Sequence, residues 1–135
     1  MPHGLIVIAD DNKTLTTLLY TILEEEGYHV FACDSGEAAY RAIAHLHPEL
    51  AILDMQMEKP WSGLEVLRRL RSDTILSSIP VIIYTADTHS LRKIHHKLAA
   101  HHCHILEKPF DLNVLLDIVA RTIVHGEREL GGFSE

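Results

Sequence analysis

No apolar run in this 135-residue sequence approaches the roughly 20 residues that a membrane span needs. The N-terminus carries no signal-peptide pattern either, so the expectation is a protein without membrane contact that works in the cytoplasm. Positive charge is in short supply: 12 Lys and Arg stand against 19 Asp and Glu, for a formal net charge of −7. No basic stretch is present that could track a phosphate backbone, which argues against direct nucleic-acid binding. The two cysteines, Cys33 and Cys103, are too few for a disulfide framework and lack metal-motif spacing; a reducing compartment suits them. Internal repeats and low-complexity tracts are missing as well. The segment "DDNKT", which follows the first apolar run, has no glycine, and this sets aside folds that cradle a nucleotide phosphate at that point.

What is present is an ordinary globular composition, 47% hydrophobic and 23% charged, in a length that suits one domain with a real core. Short β-branched runs alternate with helical patterns five times. "LIVIA" (5–9) predicts a strand. Leu15, Leu18, Leu19, Ile22 and Leu23 then recur at helical spacing until Gly27. "YHVFAC" (28–33) predicts a second strand, and Asp34 stands three before Glu37 in a capping-box arrangement that opens a helix lined by Ala38, Ala39, Ala42, Ile43 and Leu46. "LAILD" (50–54) is a third strand, and Leu64, Leu67 and Leu70 mark a short third helix. "IPVIIYTA" (79–86) is a fourth strand, a fourth helix is expected from about Ser90 to Ala100 with Leu91, Ile94 and Leu98 inward, and "HIL" (104–106) is a brief fifth strand. "DLNVLLDIVARTIV" closes the pattern as a fifth helix. Continuous apolar strands alternating with amphipathic helices predict an α/β fold, a parallel sheet covered on both faces. The domain is placed at residues 4–124, with 125–135 as a tail or the start of a linker.

Ligands of open α/β sheets bind at the carboxyl ends of the strands. The first strand ends in Asp10 and Asp11, the third in Asp54, the fourth in Thr85, and Lys108 follows the fifth. Asp11 or Asn12 could cap the next helix, but one cap does not account for two carboxylates. Two carboxylates about 4 Å apart repel by roughly 4 kcal/mol at an effective dielectric near 20. Three need positive charge among them, and one lysine cannot offset all three. An oxygen-only ligand set points to Mg²⁺, completed by a substrate phosphate. Asp10 and Asp11 would hold the ion, Asp54 would be the nucleophile that forms an aspartyl phosphate, and Thr85 and Lys108 would hold phosphoryl oxygens.

Asp10-Asp11, Asp54 in "PELAILDMQM", Thr85 in "PVIIYTA" and Lys108 in "EKPF", together with the intervals between them, make the chain resemble a response-regulator receiver domain over residues 4 to 124. The resemblance implies a flavodoxin-like, doubly wound sheet of strand order 2-1-3-4-5. It implies that a sensor histidine kinase's phosphohistidine, a phosphotransfer protein or a small phosphodonor passes its phosphoryl group to Asp54 with Mg²⁺ bound, and that the Gln56 backbone carbonyl joins Asp10, Asp11 and Asp54 as a metal ligand. Gln56 and Asp87 match positions that tune the lifetime of the phosphoryl group. Phosphorylation is expected to remodel the face made by the fourth helix, fifth strand and fifth helix, through which a downstream partner or output domain is engaged and through which family members also dimerise. The Lys108–Pro109 bond is usually cis in the family. Such a domain transfers a phosphoryl group to itself and loses it again; it does not turn over a substrate.

Several positions depart from that pattern. Ile105 stands where the family usually has the Tyr or Phe that moves with the threonine, and an isoleucine cannot swing as a ring does. Glu58 replaces an expected proline, and "KPWSG" makes the following loop one residue longer. Trp61 in that loop reads first as an aromatic covering the core, and second as a partner contact. Of the eleven histidines, His89, His95, His96, His101, His102 and His104 gather around the fourth helix, but the two within it, His95 and His96, are not spaced three or four apart. A solvated or pH-responsive face suits them better than a metal site. Two other functional classes compete with the switch. A receiver-like docking module independent of phosphorylation is favoured by Ile105 and opposed by the full set of site residues. A hydrolase of the aspartyl-phosphate type needs a second aspartate two after the nucleophile, where Gln56 stands. With no output domain following, the chain reads as a stand-alone regulator or as the receiver piece of a longer protein.

Overall fold

The computed structural model describes residues 4–87, 89 and 102–132. The apolar runs form five parallel strands, β1 Leu5–Ala9, β2 His29–Cys33, β3 Leu50–Asp54, β4 Val81–Thr85 and β5 His104–Glu107. They form one sheet in the order β2-β1-β3-β4-β5, the flavodoxin-like arrangement expected. Helices α1 (Lys13–Glu25), α2 (Gly36–Leu46) and α3 (Ser62–Ser72) and a C-terminal helix (Leu112–Gly132) accompany it. No helix among the described residues is long and apolar enough to cross a membrane. The helix expected from Ser90 to Ala100, with His95 and His96, and the neighbouring His101 lie outside the described residues, and so does much of the face expected to carry output.

The strand period of two divides the core. Ile6, Ile8, Leu50, Ile52, Ile82 and Tyr84 point to the side covered by Leu19 and Leu23 of α1 and Leu115, Val119 and Ile123 of the C-terminal helix. Val7, Ala9, Ala51, Leu53, Val81 and Ile83 face Ala39 and Ile43 of α2 and Leu64, Leu67 and Leu70 of α3. Both sides are dry, which is why these strands are apolar without alternation.

Three local expectations shift. The N-cap of α2 is Ser35, whose side chain accepts from the Ala38 amide at 3.1 Å. With the cap one residue later than Asp34, Glu37 falls too early to close a capping box, and it pairs instead with Arg69 at 3.0 Å and Arg41 at 3.3 Å. Strand β2 begins at His29, because the Tyr28 amide is still donating to the Leu23 carbonyl of α1 at 3.1 Å. The C-terminal helix runs past residue 124 to Gly132.

Candidate functional site

At the carboxyl edge of the sheet, Asn12 takes the capping role: its side chain accepts from the Leu15 amide at 3.1 Å. The cap of α1 therefore does not require Asp11, and Asp10 bears on it only by accepting from the Asn12 amide at 2.8 Å. The Asp10 amide donates to the Cys33 carbonyl at 3.1 Å, which keeps Asp10 in register with the sheet. It continues the even-numbered side of β1, and Asp54 continues the same side of β3. Asp10 and Asp54 are buried and Asp11 is exposed. One carboxylate oxygen from each of the three lies within 4.8 Å of the others, and this is the one such grouping able to hold an ion among the described residues.

Lys108 Nζ enters from beyond β5 and bridges two of the acids, 2.9 Å from Asp10 Oδ2 and 3.4 Å from Asp54 Oδ2. Its amide donates to the Thr85 carbonyl at 2.8 Å, and the Lys108–Pro109 bond is cis. Burial pushes the Asp54 carboxyl up to about 6; Lys108 works against that shift and Asp10 adds to it. Burial also raises Asp10, but the Asn12 amide, the Tyr84 hydroxyl and Lys108 outweigh it and hold Asp10 below the ordinary carboxylate range. A site with three carboxylates and one bridging ammonium is short of positive charge. Its oxygen donors suit a hard cation such as Mg²⁺.

Thr85 is buried, and its Oγ1 accepts from the Asp87 amide at 3.0 Å. Gln56 donates its amide to Asp54 Oδ1 at 3.2 Å, and its side chain reaches Asp87 Oδ2 at 3.4 Å. Ile105 is partly buried and packs against the core on the α2–α3 side. Trp61 also packs there, at the N-terminus of α3 with φ +67°, in keeping with an aromatic that covers the core. His89, His102 and His104 are exposed, and His102 takes the left-handed backbone conformation.

Two contributors were not anticipated. Tyr84, fully buried, donates its hydroxyl to Asp10 Oδ2 at 2.7 Å. The signal was available in part: Tyr84 shares the inward phase of Ile82 and precedes Thr85, and a buried phenol needs an acceptor. Glu58 reaches back across the loop after Asp54, where both its carboxylate oxygens accept from the Gly36 amide at 2.9 Å. Nothing in the local sequence announces that pairing, since its partner lies 22 residues away.

The family model for the response regulator receiver domain matches residues 6–120. The chain is 32% identical over 89 residues to the alkaline phosphatase synthesis transcriptional regulatory protein PhoP of Bacillus subtilis, a match covering 66% of this chain and 36% of that protein. It is 30% identical over 116 residues to the CAI-1 autoinducer sensor kinase/phosphatase CqsS of Vibrio cholerae, covering 85% of this chain and 17% of that one. Against the DNA-binding response regulator MtrA of Mycolicibacterium smegmatis the identity is 32% over 83 residues, with 62% of this chain and 35% of the relative covered. The chain thus spans about a third or less of these relatives' lengths. Among solved structures, the signal receiver domain of a signal transduction histidine kinase from Syntrophus aciditrophicus superposes with a TM-score of 0.80 at 31% identity, covering 93% of each chain. The signal receiver domain of a putative Luxo repressor protein from Vibrio parahaemolyticus gives 0.83 at 26% identity, covering 95% of each.

Proposed function

The chain belongs to the response regulator receiver domain family, and we propose on that footing that it is a phosphorylation-dependent switch in which Asp54 accepts the phosphoryl group. The observation that carries the reading is the meeting of the Asp10, Asp11 and Asp54 carboxylates within 4.8 Å, with Lys108 Nζ bridging two of them. With its carboxyl at about 6, Asp54 is largely ionised near neutral pH. One Asp54 oxygen attacks phosphorus, an O–P bond forms, and the bond from phosphorus to the donor breaks. From a phosphohistidine the leaving imidazole takes up a proton; from acetyl phosphate the leaving group is acetate. The Gln56 amide orients Oδ1 and Lys108 orients Oδ2. Lys108 and Thr85 would hold the transferred phosphoryl oxygens, and Gln56 and Asp87, whose side chains meet at 3.4 Å, would tune attack by water on the product.

Asp10, Asp11, Asp54 and the Gln56 carbonyl would hold Mg²⁺, which when bound supplies positive charge between the carboxylates and the incoming phosphoryl group. The donor we infer is the phosphohistidine of a sensor histidine kinase or phosphotransfer protein, in the cytoplasm. The net charge of −7 supports protein, not nucleic acid, as the partner of this domain. Ile105 lacks the ring through which relatives of this kind couple the threonine to their output face, so the downstream partner would read a change transmitted another way.

Phosphorylation by acetyl phosphate with and without Mg²⁺, followed on a phosphate-affinity gel, tests this reading. The wild type should give a Mg²⁺-dependent shifted band that Asp54→Ala lacks. A wild type that stays unshifted with acetyl phosphate, and whose Trp61 fluorescence ignores beryllofluoride, would favour a docking module independent of phosphorylation.

A further inference from the structure

Tyr84 is the largest fully buried side chain near the site, and packing alone does not call for its hydroxyl. Its ring fills the apolar layer under α1 and the C-terminal helix, with the Phe110 ring edge-on at 5.5 Å and 60°. In the strand register its Cα partner is Asp54. Its hydroxyl reaches past that neighbour to Asp10 Oδ2 at 2.7 Å, the oxygen that also accepts from Lys108 Nζ at 2.9 Å. Lys108 Nζ in turn lies 4.5 Å from the centre of the Tyr84 ring. The other Asp10 oxygen accepts from the Asn12 amide at 2.8 Å. Three donors therefore fix the Asp10 carboxylate, and Tyr84 is the donor anchored in the dry core. A phenylalanine would fill the same space and leave Oδ2 held only by Lys108, whose long side chain fixes its direction less firmly than a phenol set in the core.

We propose that Tyr84 is a positioning residue of the phosphoryl-transfer site, whose hydroxyl sets the orientation of the Asp10 carboxylate for Mg²⁺. The proposal rests on reading the acid cluster as the Mg²⁺ site, and it adds to that site the penultimate residue of β4, beside Thr85. Groups that hydrogen-bond to a metal-ligating side chain fix its direction, and losing one typically weakens metal binding on the order of 10-fold or more. Lys108 remains available to Asp10 in a Phe variant, so the lower end of that range is the expectation.

The test is Tyr84→Phe, with Mg²⁺ binding measured by titration calorimetry and acetyl phosphate reactivity measured across Mg²⁺ concentrations. The Mg²⁺ dissociation constant should rise on the order of 10-fold, and the concentration giving half-maximal phosphorylation should rise with it. The maximal rate at saturating Mg²⁺ should stay close to that of the wild type, a separation that loss of folding would not produce. A measurement on the wild type stands beside it: the ¹³Cζ resonance of labelled Tyr84, which reports the hydrogen bond of its hydroxyl, should move as Mg²⁺ is added. A variant that binds Mg²⁺ like the wild type, or a ¹³Cζ resonance that does not move at Mg²⁺ saturation, overturns the role given to Tyr84 and leaves the acid-cluster reading standing. A wild type that binds no Mg²⁺ and takes no phosphoryl group overturns both.

Discussion

Asp54 is 7% exposed, and its carboxyl is pushed up to about 6 from an ordinary value of 3.8, first by burial and then by Asp10 against the pull of Lys108. Folded chains therefore keep a proton on Asp54 between about pH 4 and 6 that unfolded chains have already released. The stability associated with that proton is fully present below pH 4, is lost as pH rises through about 6, and stays lost above it. Asp54→Asn removes the ionisation. In EDTA at pH 7.5 it should raise the free energy of unfolding by up to about 3 kcal/mol, the equivalent of the shift, and the gain should disappear below pH 4. Urea unfolding at both pH values checks this. Asp10, held below the ordinary range by its three donors, works in the other sense: its contribution is present above its unfolded value and is lost as pH falls through its lower folded one. Both carboxylates are buried, and they have opposite effects because the three donors on Asp10 outweigh its burial while Lys108 and the Gln56 amide do not outweigh burial and the neighbouring Asp10 charge at Asp54.

The loop that joins β3 to α3 is pinned at three points. The Met57 amide donates to Ser62 Oγ at 2.8 Å, the Gly63 amide to the Met55 carbonyl at 2.8 Å, and the Gly36 amide to the Glu58 carboxylate at 2.9 Å. Gly63 tolerates this because it lacks a side chain: a Cβ there would stand 2.1 Å from the Asp54 carbonyl oxygen and 2.8 Å from the Met55 Cα. Both obstacles are backbone, so neither can swing aside. Gly63→Ala should cost about 3 kcal/mol or more and disturb the end of β3, read as a lower thermal midpoint together with slower phosphorylation. Glu58 holds the first turn of α2 from outside it, beside Ser35. Glu58→Ala should cost about 1 kcal/mol, the usual loss for a helix N-terminal cap, and circular-dichroism melting should show it as a modest drop. The helical spacing of Leu64, Leu67 and Leu70 makes α3 legible in sequence. The close approach of Gly63 to Asp54 is not, because it depends on where α3 lands on β3.

Across the whole molecule, the sheet is covered on one side by α1 and the C-terminal helix and on the other by α2 and α3, while the acids stand at its carboxyl edge. A cation that binds only the folded arrangement stabilises the entire domain by mass action. At 100 times the dissociation constant Mg²⁺ should add about 2.7 kcal/mol to the unfolding free energy, seen as a higher thermal midpoint than in EDTA. Asp11 is exposed and stands beside two like charges, so Asp11→Ala should melt no lower than the wild type in EDTA and lose the Mg²⁺ increment. An equal increment in that variant would remove Asp11 from the ion site.

By itself the sequence determined the alternation of strand and helix, because dry parallel strands read as unbroken apolar runs and their covering helices as a 3.6-residue repeat. It also placed Asp10, Asp11, Asp54, Thr85 and Lys108 at strand ends, since position at the end of a run is a local property. The strand order β2-β1-β3-β4-β5 is a matter of hydrogen bonds between distant segments, on which periodicity is silent, and it was anticipated only through family resemblance. The Ser35 cap was decided by a local competition with Asp34 that spacing alone could not settle. The hydroxyl of Tyr84 on Asp10, 74 residues away in the chain, and the carboxylate of Glu58 on Gly36 belong to the tertiary structure entirely. Each side chain had several chemically acceptable partners in sequence, and only the stacking of β1 beside β3 and β3 beside β4 brought one of them within hydrogen-bond reach.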